Sequence, residues 1–227
     1  MSGREGLEVV AEALERGTTR FLGLELEVAA GALVARPETE LLGEEATRLL
    51  GLLPPGARAI DVCCGSGNLA CAMAFRTPGA RVWACDLTTP TVELTRRNVK
   101  RLGLQVQVFQ GDLFAALAGQ GLEGTVDLIA CNPPYISTGK LEKDKGELLA
   151  REPREAFDGG PYGLSIHARV IKEALPFLKP GAHLLFEFGL GQERQLKLLF
   201  DRSKAYQDLR LVNDAAGAPR VAVAVRR

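Results

Sequence analysis

The sequence has few residues of the kinds that bind metals or build disulfide frameworks. Histidine occurs only twice in 227 residues, and the five cysteines form no Cys-x-x-Cys pair. Structural zinc sites need closely spaced cysteine and histidine ligands, so the sequence predicts no metal site. Without an even set of cysteines to pair, we expect reduced thiols and a cytoplasmic location.

Two further absences narrow the class of protein. Lys and Arg together number 28, as do Asp and Glu, so the formal net charge is zero. A nucleic-acid partner is therefore less expected than for a basic chain, although a local basic face would escape this count. No apolar run reaches the roughly 18 residues of a membrane helix, and the N-terminus is too charged for a signal peptide, so no membrane partner is expected.

Short apolar runs alternate along the chain with amphipathic, helix-like stretches. This alternation predicts an α/β fold whose mostly parallel sheet is covered by helices on both faces. Strands are expected at residues 57–62, 80–86, 106–112, 125–131, 182–189, 209–212 and 221–225. Helices are expected at residues 68–75, 90–103, 164–178 and 192–200, the third of them closed by Lys179-Pro180-Gly181.

The chain ahead of this pattern is expected to form an appendage, residues 1–35, before a single domain at residues 36–227. Residues 6–16 carry apolar side chains on one helical face. A β-hairpin is expected at residues 21–34, turning around Ala29-Ala30-Gly31.

Two other expectations concern the domain itself. Thr39 is predicted to cap a helix that runs to about Leu53. Residues 137–161 are polar and show no period, and a loop of that length in a compact domain is usually functional or mobile.

Glycines and acidic residues at the ends of consecutive predicted strands form the first functional pattern. IDVCCGSGNLA follows a strand and opens a helix, so Gly65 and Gly67 let the backbone turn tightly beside free helix N–H groups. Asp61 can orient this loop or accept a ligand's ammonium group. Asp86 ends the next strand, nineteen residues after Gly67, where a carboxylate can accept hydrogen bonds from both hydroxyls of a ribose. Asp112 follows the third strand, where a side chain can contact adenine.

The loop favours a cofactor that has a ribose and an adenine but no phosphate. A dinucleotide loop normally runs G-x-G-x-x-G, whereas Cys63 stands two residues before Gly65 and the loop has no lysine or arginine. S-adenosylmethionine is therefore the expected cofactor, and a tight turn without a ligand is the alternative for the glycines alone. The predicted cofactor-binding residues are Asp61, Cys63, Gly65, Gly67, Asp86, Leu87, Asp112, Leu113 and Asn132.

The apolar run VDLIAC ends abruptly in Asn-Pro-Pro-Tyr, residues 132–135. A planar amide or base nitrogen is a poor nucleophile, so an enzyme must hold both of its N–H groups. The Asn132 side-chain oxygen and the Pro133 carbonyl can accept them, because the prolines fix the backbone, and Tyr135 offers a flat face for stacking. The pattern predicts in-line methyl transfer driven by positioning and electrostatics; a proline-stiffened turn is the alternative.

Five segments, in order along the chain, resemble the signatures of one enzyme family. They are RPETELL from Arg36, DVCCGSG from Asp61, NPPYI from Asn132, REPREAFDGGPYGL from Arg151 and LKPGAHLLFEFGLGQ from Leu178. The sequence resembles the HemK/PrmC family, the S-adenosylmethionine-dependent N5-glutamine methyltransferases that modify the Gly-Gly-Gln loop of peptide-chain release factors. The resemblance implies a class I methyltransferase domain: a Rossmann-like, seven-stranded, mostly parallel sheet with an N-terminal helix and a β-hairpin.

The resemblance also implies roles for individual residues. Asn132 and Pro133 would hold the glutamine amide, Tyr135 would line its pocket, Asp86 would bind the ribose and Asp112 would lie near the adenine. The predicted catalytic residues are thus Asn132, Pro133 and Tyr135. The predicted substrate-binding residues are Arg36, Glu38, Thr39, Pro134 and Tyr135. For the charged residues among these, a helix start is an equal alternative, because glutamate suits the positive end of the helix dipole.

The sequence departs from the family pattern in several places. About twenty residues precede Phe21, where family members usually carry a larger helical domain that grips the release factor. Cys63-Cys64 replaces Gly-Thr, and Tyr162 replaces an aspartate. A protein glutamine, such as that of a release factor, is the expected acceptor, with a helper protein as one replacement for the missing domain.

Other acceptors and one non-enzymatic function are the alternatives. A small-molecule or peptide amide or amine is one, and an exocyclic base amine of nucleic acid is another. A cofactor-binding module without chemistry is the non-enzymatic alternative, against which the intact Asn132 and Tyr135 count.

Two groups of residues near the predicted site have a structural interpretation as well. Cys63, Cys64, Cys85 and Cys131 fall at strand ends and are expected to be small core residues, although modification of a thiol there would block cofactor entry. Glu187 lies in an otherwise apolar strand, so a buried acid there needs partners.

Overall fold

The structure, a computed structural model, describes residues 3–143 and 152–227, with only the backbone of residues 3–7. The strands are β1 Thr18–Phe21, β2 Leu24–Glu27, β3 Arg58–Val62, β4 Arg81–Asp86, β5 Val106–Gln110, β6 Val126–Cys131, β7 Leu178–Glu187, β8 Tyr206–Asn213 and β9 Pro219–Arg226. The α-helices are α1 Gly3–Arg16, α2 Pro37–Gly51, α3 Asn68–Arg76, α4 Thr89–Arg101, α5 Thr138–Lys143, α6 Ser165–Glu173 and α7 Glu193–Ser203. Short 3₁₀ helices lie at Leu113–Leu117 and Arg154–Ala156.

Seven strands form one sheet in the order β5-β4-β3-β6-β7-β9-β8. The five strands from β5 to β7 pair in parallel, whereas β9 is antiparallel to both β7 and β8. This confirms the predicted α/β fold with a seven-stranded, mostly parallel sheet. The chain goes from β3 to β4 on one side and later returns to β6 on the other, so the loops after β3 and β6 flank a topological switch point, where such sheets bind ligands.

The sheet separates two apolar layers because alternate strand residues face opposite sides. On one side, Ala59 and Leu128 pack with residues of α2, α3 and the β1–β2 hairpin. On the other side, Ile60 and Ile129 pack with residues of α6, α7 and the C-terminal strands. Burial on both faces explains why the central strands are continuous apolar runs rather than alternating ones.

The hairpin lies earlier in the chain than the sequence predicted. Its strands are joined by Leu22 and Gly23, both with positive φ (48° and 86°), as a tight two-residue hairpin turn requires. The predicted turn at Ala29-Ala30-Gly31 is wrong, because the paired strands end at Glu27 and residues 28–36 form no strand, although buried and partly exposed residues still alternate there. Phe21 and Leu26 join the main apolar layer, and the division of the chain after residue 35 stays a prediction.

Three other local predictions need correction. Thr39 does not cap α2: Arg36 holds that position and Pro37 is the first helical residue, which suits proline because its missing N–H would have no helical partner. Lys179-Pro180-Gly181 lies inside β7 rather than closing a helix. The stretch 137–161 begins with α5 and carries a 3₁₀ turn, and its residues 144–151 lie outside the described part of the chain. Within the described residues, no helix is long and apolar enough to cross a membrane.

Truncation of one core leucine should test how much the layer under α2 stabilises the fold. Leu50 is fully buried near the end of α2, whereas Leu52 just beyond it is 73% exposed. Leu50→Ala should lower the free energy of unfolding by about 2–5 kcal/mol, because it leaves a cavity. Leu52→Ala should change it by less than about 0.5 kcal/mol. Urea denaturation measures both, and equal effects would contradict this packing.

Candidate active site

The loop between β3 and α3, residues 63–67, is shaped by three residues with positive φ. They are Cys63 at 59°, Gly65 at 56° and Gly67 at 79°. Gly67 also has no space for a side chain, since a Cβ there would lie 2.7 Å from Cγ2 of Thr95. The Gly67 amide donates to the Cys64 carbonyl (2.7 Å), which closes the turn. The loop therefore passes tightly over the carboxyl end of β3 before α3 begins.

Asp86 at the end of β4 holds this loop in place. Its Oδ2 accepts from the Gly65 amide (2.8 Å), and its Oδ1 accepts from the Leu87 amide and the Thr91 hydroxyl (2.8 Å each). The Thr88 amide also lies 3.5 Å from Oδ1. Because a carboxylate oxygen has about two acceptor positions and Oδ2 accepts one bond, Oδ2 has capacity for a ligand hydroxyl. Asp86 therefore both organises the loop and offers an acceptor next to it.

Asp61 lies beneath the loop and is completely buried. Its Oδ2 accepts from the Ala70 amide in the first turn of α3 (2.9 Å), whereas its Oδ1 has no hydrogen-bond partner among the described residues. Burial raises the pKa of Asp61 to about 8; the Ala70 amide opposes this rise and the charge of Asp86 adds to it. The unpaired Oδ1 is the atom that could accept an ammonium group, a role that stays a prediction.

A cavity of about 420 Å³ opens above these loops, within the usual size range of small-molecule sites. Nine of the predicted site residues line it: Thr39, Cys63, Gly65, Asp86, Leu87, Asp112, Leu113, Asn132 and Pro134. Residues 153–156 and 158 form another part of its wall. The other predicted site residues do not line it: Arg36, Glu38, Asp61, Gly67, Pro133 and Tyr135.

Asp112 lies at the cavity with its carboxylate already paired. Both oxygens accept from the Arg169 guanidinium, at 2.9 and 3.0 Å, and Arg169 also pairs with Glu173 one helical turn further along α6. The sequence analysis missed Arg169 because its partner lies 57 residues away. The predicted contact of Asp112 with an adenine stays a prediction.

Asn132 brings the Asn-Pro-Pro-Tyr segment into the same cavity. Its Nδ2 donates to Oγ1 of Thr39 (3.1 Å), on the first turn of α2. Pro133 is buried, while Pro134 lines the cavity. The loop after β3 and the segment after β6 therefore meet around one space.

The Tyr135 hydroxyl contacts β7. It donates to Oε1 of Glu187 (2.9 Å). Burial raises the pKa of Glu187 above its ordinary value, while hydrogen bonds from Thr39 and Tyr135 oppose that rise. His167 on α6 lies 2.9 Å from the Glu187 backbone carbonyl, through Nε2. The buried Glu187 carboxyl, which was expected to need partners, therefore has one at Oε1, whereas its Oε2 has none among the described residues.

The backbone of residues 134–136 is enclosed by two segments that the sequence analysis did not assign to it. The Gln192 side chain donates to the backbone carbonyls of Tyr135 (3.0 Å) and Gly163 (3.2 Å). A Cβ on Gly159 would lie 2.7 Å from the Pro134 carbonyl, and one on Gly163 would overlap that of Tyr135. The glycines and the glutamine of the resembling segments therefore fix the path of this loop.

Arg36, the residue before α2, forms an ion pair with a buried glutamate. Arg36 pairs with Glu152 (2.5 Å), whose other oxygen accepts from the Val34 amide (2.8 Å). Glu152 is buried. Its bonds to Arg36 and Val34 therefore connect the start of α2 to residues 153–156, which line the cavity. The proposed substrate contacts of Arg36 and Glu38 stay predictions; the charge of Glu38 acts on the pKa of Glu187.

The five cysteines are unpaired and differ in exposure. Cys63 is partly exposed, whereas the others are buried, as the interpretation of small core residues predicted for Cys64, Cys85 and Cys131. Burial raises the pKa of the Cys71 thiol to about 12. In the described part of the chain, no group of three or more potential ligands could hold a metal ion.

Comparison with known proteins decides the family. The model of the Methyltransferase small domain family matches residues 44–161. The release factor glutamine methyltransferase of Geobacter sulfurreducens is 37% identical over 205 residues, which cover 90% of this chain and 69% of that protein. The chain belongs to the release factor glutamine methyltransferase family.

Solved structures agree with this membership. The release factor-specific protein-(glutamine-N5) methyltransferase of Alicyclobacillus acidocaldarius is 28% identical and superposes with a TM-score of 0.55, over 89% of this chain and 99% of that one. A methyltransferase from Pyrococcus furiosus, at 20% identity, shares the fold with a TM-score of 0.63, over 100% of this chain and 98% of that one. The predicted resemblance, the class I methyltransferase fold and the methyltransferase activity class are thus confirmed.

Replacing Asp61 should show, through the pH dependence of the free energy of unfolding, that its buried carboxyl is protonated in the folded protein. Asp61→Asn keeps an acceptor for the Ala70 amide and removes the ionisable group. Because the pKa of Asp61 is raised to about 8 in the folded protein, the folded state keeps a proton that the unfolded chain releases from about pH 4 upward. The wild-type free energy of unfolding should therefore fall as pH rises through this range, by up to about 1.4 kcal/mol per unit, relative to the variant.

Urea denaturation of both proteins at about pH 5 and about pH 8 measures this difference. The advantage of Asp61→Asn should be larger at the higher pH. An advantage that does not depend on pH would mean that Asp61 is ionised throughout the folded state.

Alkylation should identify the thiol in the cavity. A maleimide should modify Cys63 first, because it alone among the five cysteines is partly exposed. The added group should then weaken binding of the predicted cofactor, and S-adenosylmethionine should slow the reaction. Peptide mass spectrometry locates the modification, and calorimetry measures cofactor affinity, with treated Cys63→Ala as the control. Full modification of Cys63 without loss of cofactor affinity would place the cofactor elsewhere.

Proposed function

We propose that this member of the release factor glutamine methyltransferase family transfers a methyl group from S-adenosylmethionine to a glutamine side-chain amide of a peptide-chain release factor. The observation that carries this proposal is the shared cavity. Asn132 and Pro134 line the same space as Cys63, Gly65 and Asp86. An acceptor nitrogen and a cofactor methyl can therefore meet there without any large movement of the chain.

The donors and acceptors around the cavity fit S-adenosylmethionine. Asp86 has capacity for a ribose hydroxyl, and Asp61 has an unpaired buried oxygen that suits an ammonium group. Among the residues that line the cavity, Arg154 is the one lysine or arginine, and it pairs with Asp158. These lining residues therefore include no unpaired cation that could bind a phosphate. When bound, the cofactor supplies an electrophilic methyl group on a sulfonium.

The residues of the Asn-Pro-Pro-Tyr segment would prepare the acceptor. The lone pair of an amide nitrogen is delocalised, so the nitrogen needs help to attack. The Asn132 side-chain oxygen and the Pro133 carbonyl would accept its two N–H groups, which favours a more pyramidal nitrogen with a freer lone pair. Both acceptors would be fixed before the substrate arrives, and such preorganised dipoles need no rearrangement during reaction.

Tyr135 would stack on the planar amide. Its hydroxyl is held by Glu187 and its carbonyl by Gln192, so the ring is restricted at both ends. An aromatic face over an amide excludes water and adds contact area without conflicting with the hydrogen bonds to the N–H groups. Arg36, Glu38 and Thr39 remain proposed substrate-side residues at the start of α2.

The net charge of the chain favours a protein acceptor over a nucleic-acid acceptor. The formal net charge is zero, whereas nucleic-acid enzymes usually carry a basic face. We further propose a cytoplasmic location, where release factors act.

Mass spectrometry of a release factor incubated with the enzyme and S-adenosylmethionine tests this function. One added methyl on the glutamine of the Gly-Gly-Gln loop is expected. Asn132→Ala should lower kcat by about 100-fold or more, as expected when a preorganised group at the reacting centre is lost, with cofactor affinity unchanged in calorimetry. Asn213→Ala, an exposed asparagine at the end of β8, should behave like wild type.

Two outcomes would contradict the proposal. A release factor that stays unmethylated by an enzyme that binds the cofactor would exclude this acceptor and favour the other amides and amines. Normal turnover by Asn132→Ala would exclude the proposed role of the amide oxygen.

A further inference from the structure

The two ends of the Asn132 amide have nearly the same shape but opposite chemistry. The oxygen accepts hydrogen bonds, and the NH₂ group donates them. The proposed role of Asn132 requires its oxygen to face the acceptor, since an NH₂ group there would oppose the two N–H groups of the substrate. Some neighbouring group must therefore decide which end points into the cavity.

Thr39 is the neighbour that contacts the nitrogen end. Its Oγ1 accepts from Nδ2 of Asn132 at 3.1 Å. Thr39 is only 1% exposed, so water does not compete for this bond. A hydroxyl can both donate and accept, however, so the contact alone does not fix its direction.

Glu187 is the neighbour that can set the direction of the hydrogen bond between Thr39 and Asn132. Its Oε1 accepts from the Tyr135 hydroxyl (2.9 Å), and its buried Oε2 has no hydrogen-bond partner among the described residues. Thr39 lies close enough to lower the pKa of this carboxyl by hydrogen bonding. A carboxylate only accepts, and a buried oxygen without a donor is costly. A Thr39 hydrogen directed at this unpaired oxygen would leave Oγ1 to accept from the Asn132 nitrogen, which is the direction of the bond between these two side chains.

The surroundings keep Glu187 in place for this role. His167 on α6 lies 2.9 Å from its backbone carbonyl. Glu187 pairs with Val221 of β9 and is only 1% exposed. The charge of Arg220 favours the ionised carboxylate, while that of Glu38 opposes it. Glu187, which does not line the cavity, thus has its backbone held by α6 and β9 and its carboxyl influenced by charges on α2 and β9.

We propose that Glu187 and Thr39 are positioning residues for methyl transfer. The Glu187 carboxylate orients the Thr39 hydroxyl, and that hydroxyl holds the Asn132 amide with its oxygen toward the acceptor nitrogen. The same carboxylate holds Tyr135, so one buried acid aligns both side chains of the Asn-Pro-Pro-Tyr segment. This inference rests on the proposed function for its kinetic consequence, but not for the orientation of the amide.

Two substitutions of Thr39 separate orientation from packing. Thr39→Val has nearly the same size and lacks the hydroxyl, whereas Thr39→Ser keeps it. Thr39→Val should lower kcat/KM for the acceptor about tenfold, the effect of losing roughly one hydrogen bond, with the cofactor Kd within about twofold of wild type. Thr39→Ser should recover most of the loss, and Glu187→Gln should also slow turnover. A Thr39→Val enzyme as active as wild type would overturn the proposal.

NMR measures the orientation without any acceptor. The side-chain amide protons of Asn132, assigned by their loss in Asn132→Ala, should exchange with water faster in Thr39→Val than in wild type or Thr39→Ser. Equal exchange in all three would overturn the proposed orientation. A wild-type enzyme that fails to methylate a release factor would instead overturn the proposed function, and amide exchange would still decide the role of Thr39.

Discussion

The pairing of β3 with β6 is the constraint on which the site depends. These strands run parallel with Val62 beside Cys131, so they end together at the same edge of the sheet. Neighbouring strands lie only about 4.8 Å apart. The glycine loop and the Asn-Pro-Pro-Tyr segment must therefore emerge side by side, although 63 residues lie between their strands. A slip in this register would move the two halves of the cavity apart.

Buried and part-buried polar contacts then hold the two loops in place beside each other. Asp86 holds the glycine loop, Gln192 holds the backbone of Tyr135, and Glu152 clamps the entry of α2. Each uses charged or amide groups that are costly to leave unpaired away from water. The site is therefore rigid where chemistry needs alignment, and its supports come from distant parts of the chain.

The sequence predicted the sheet and the loops that flank the cavity, because strand ends, glycines and the Asn-Pro-Pro-Tyr segment are local patterns. It misplaced the hairpin turn, since apolar alternation does not distinguish Leu22-Gly23 from the later Ala29-Ala30-Gly31. It gave Thr39 a capping role because the residue type suits one, whereas tertiary contact with Asn132 takes its hydroxyl instead. Glu152 could not be assigned to Arg36 because it lies 116 positions later in the chain and only the fold brings the two residues together.

The close packing of glycines against Pro134 and Tyr135 limits how this part of the protein can evolve. Gly159 and Gly163 have no space for a side chain, so substitution there would displace the loop that carries the chemistry. Pro161 and Tyr162 between them project outward, Tyr162 with 86% of its surface exposed. Amino-acid substitutions in this segment should therefore be tolerated at Pro161 and Tyr162, where a new side chain would face solvent and leave the backbone of residues 134–136 in place.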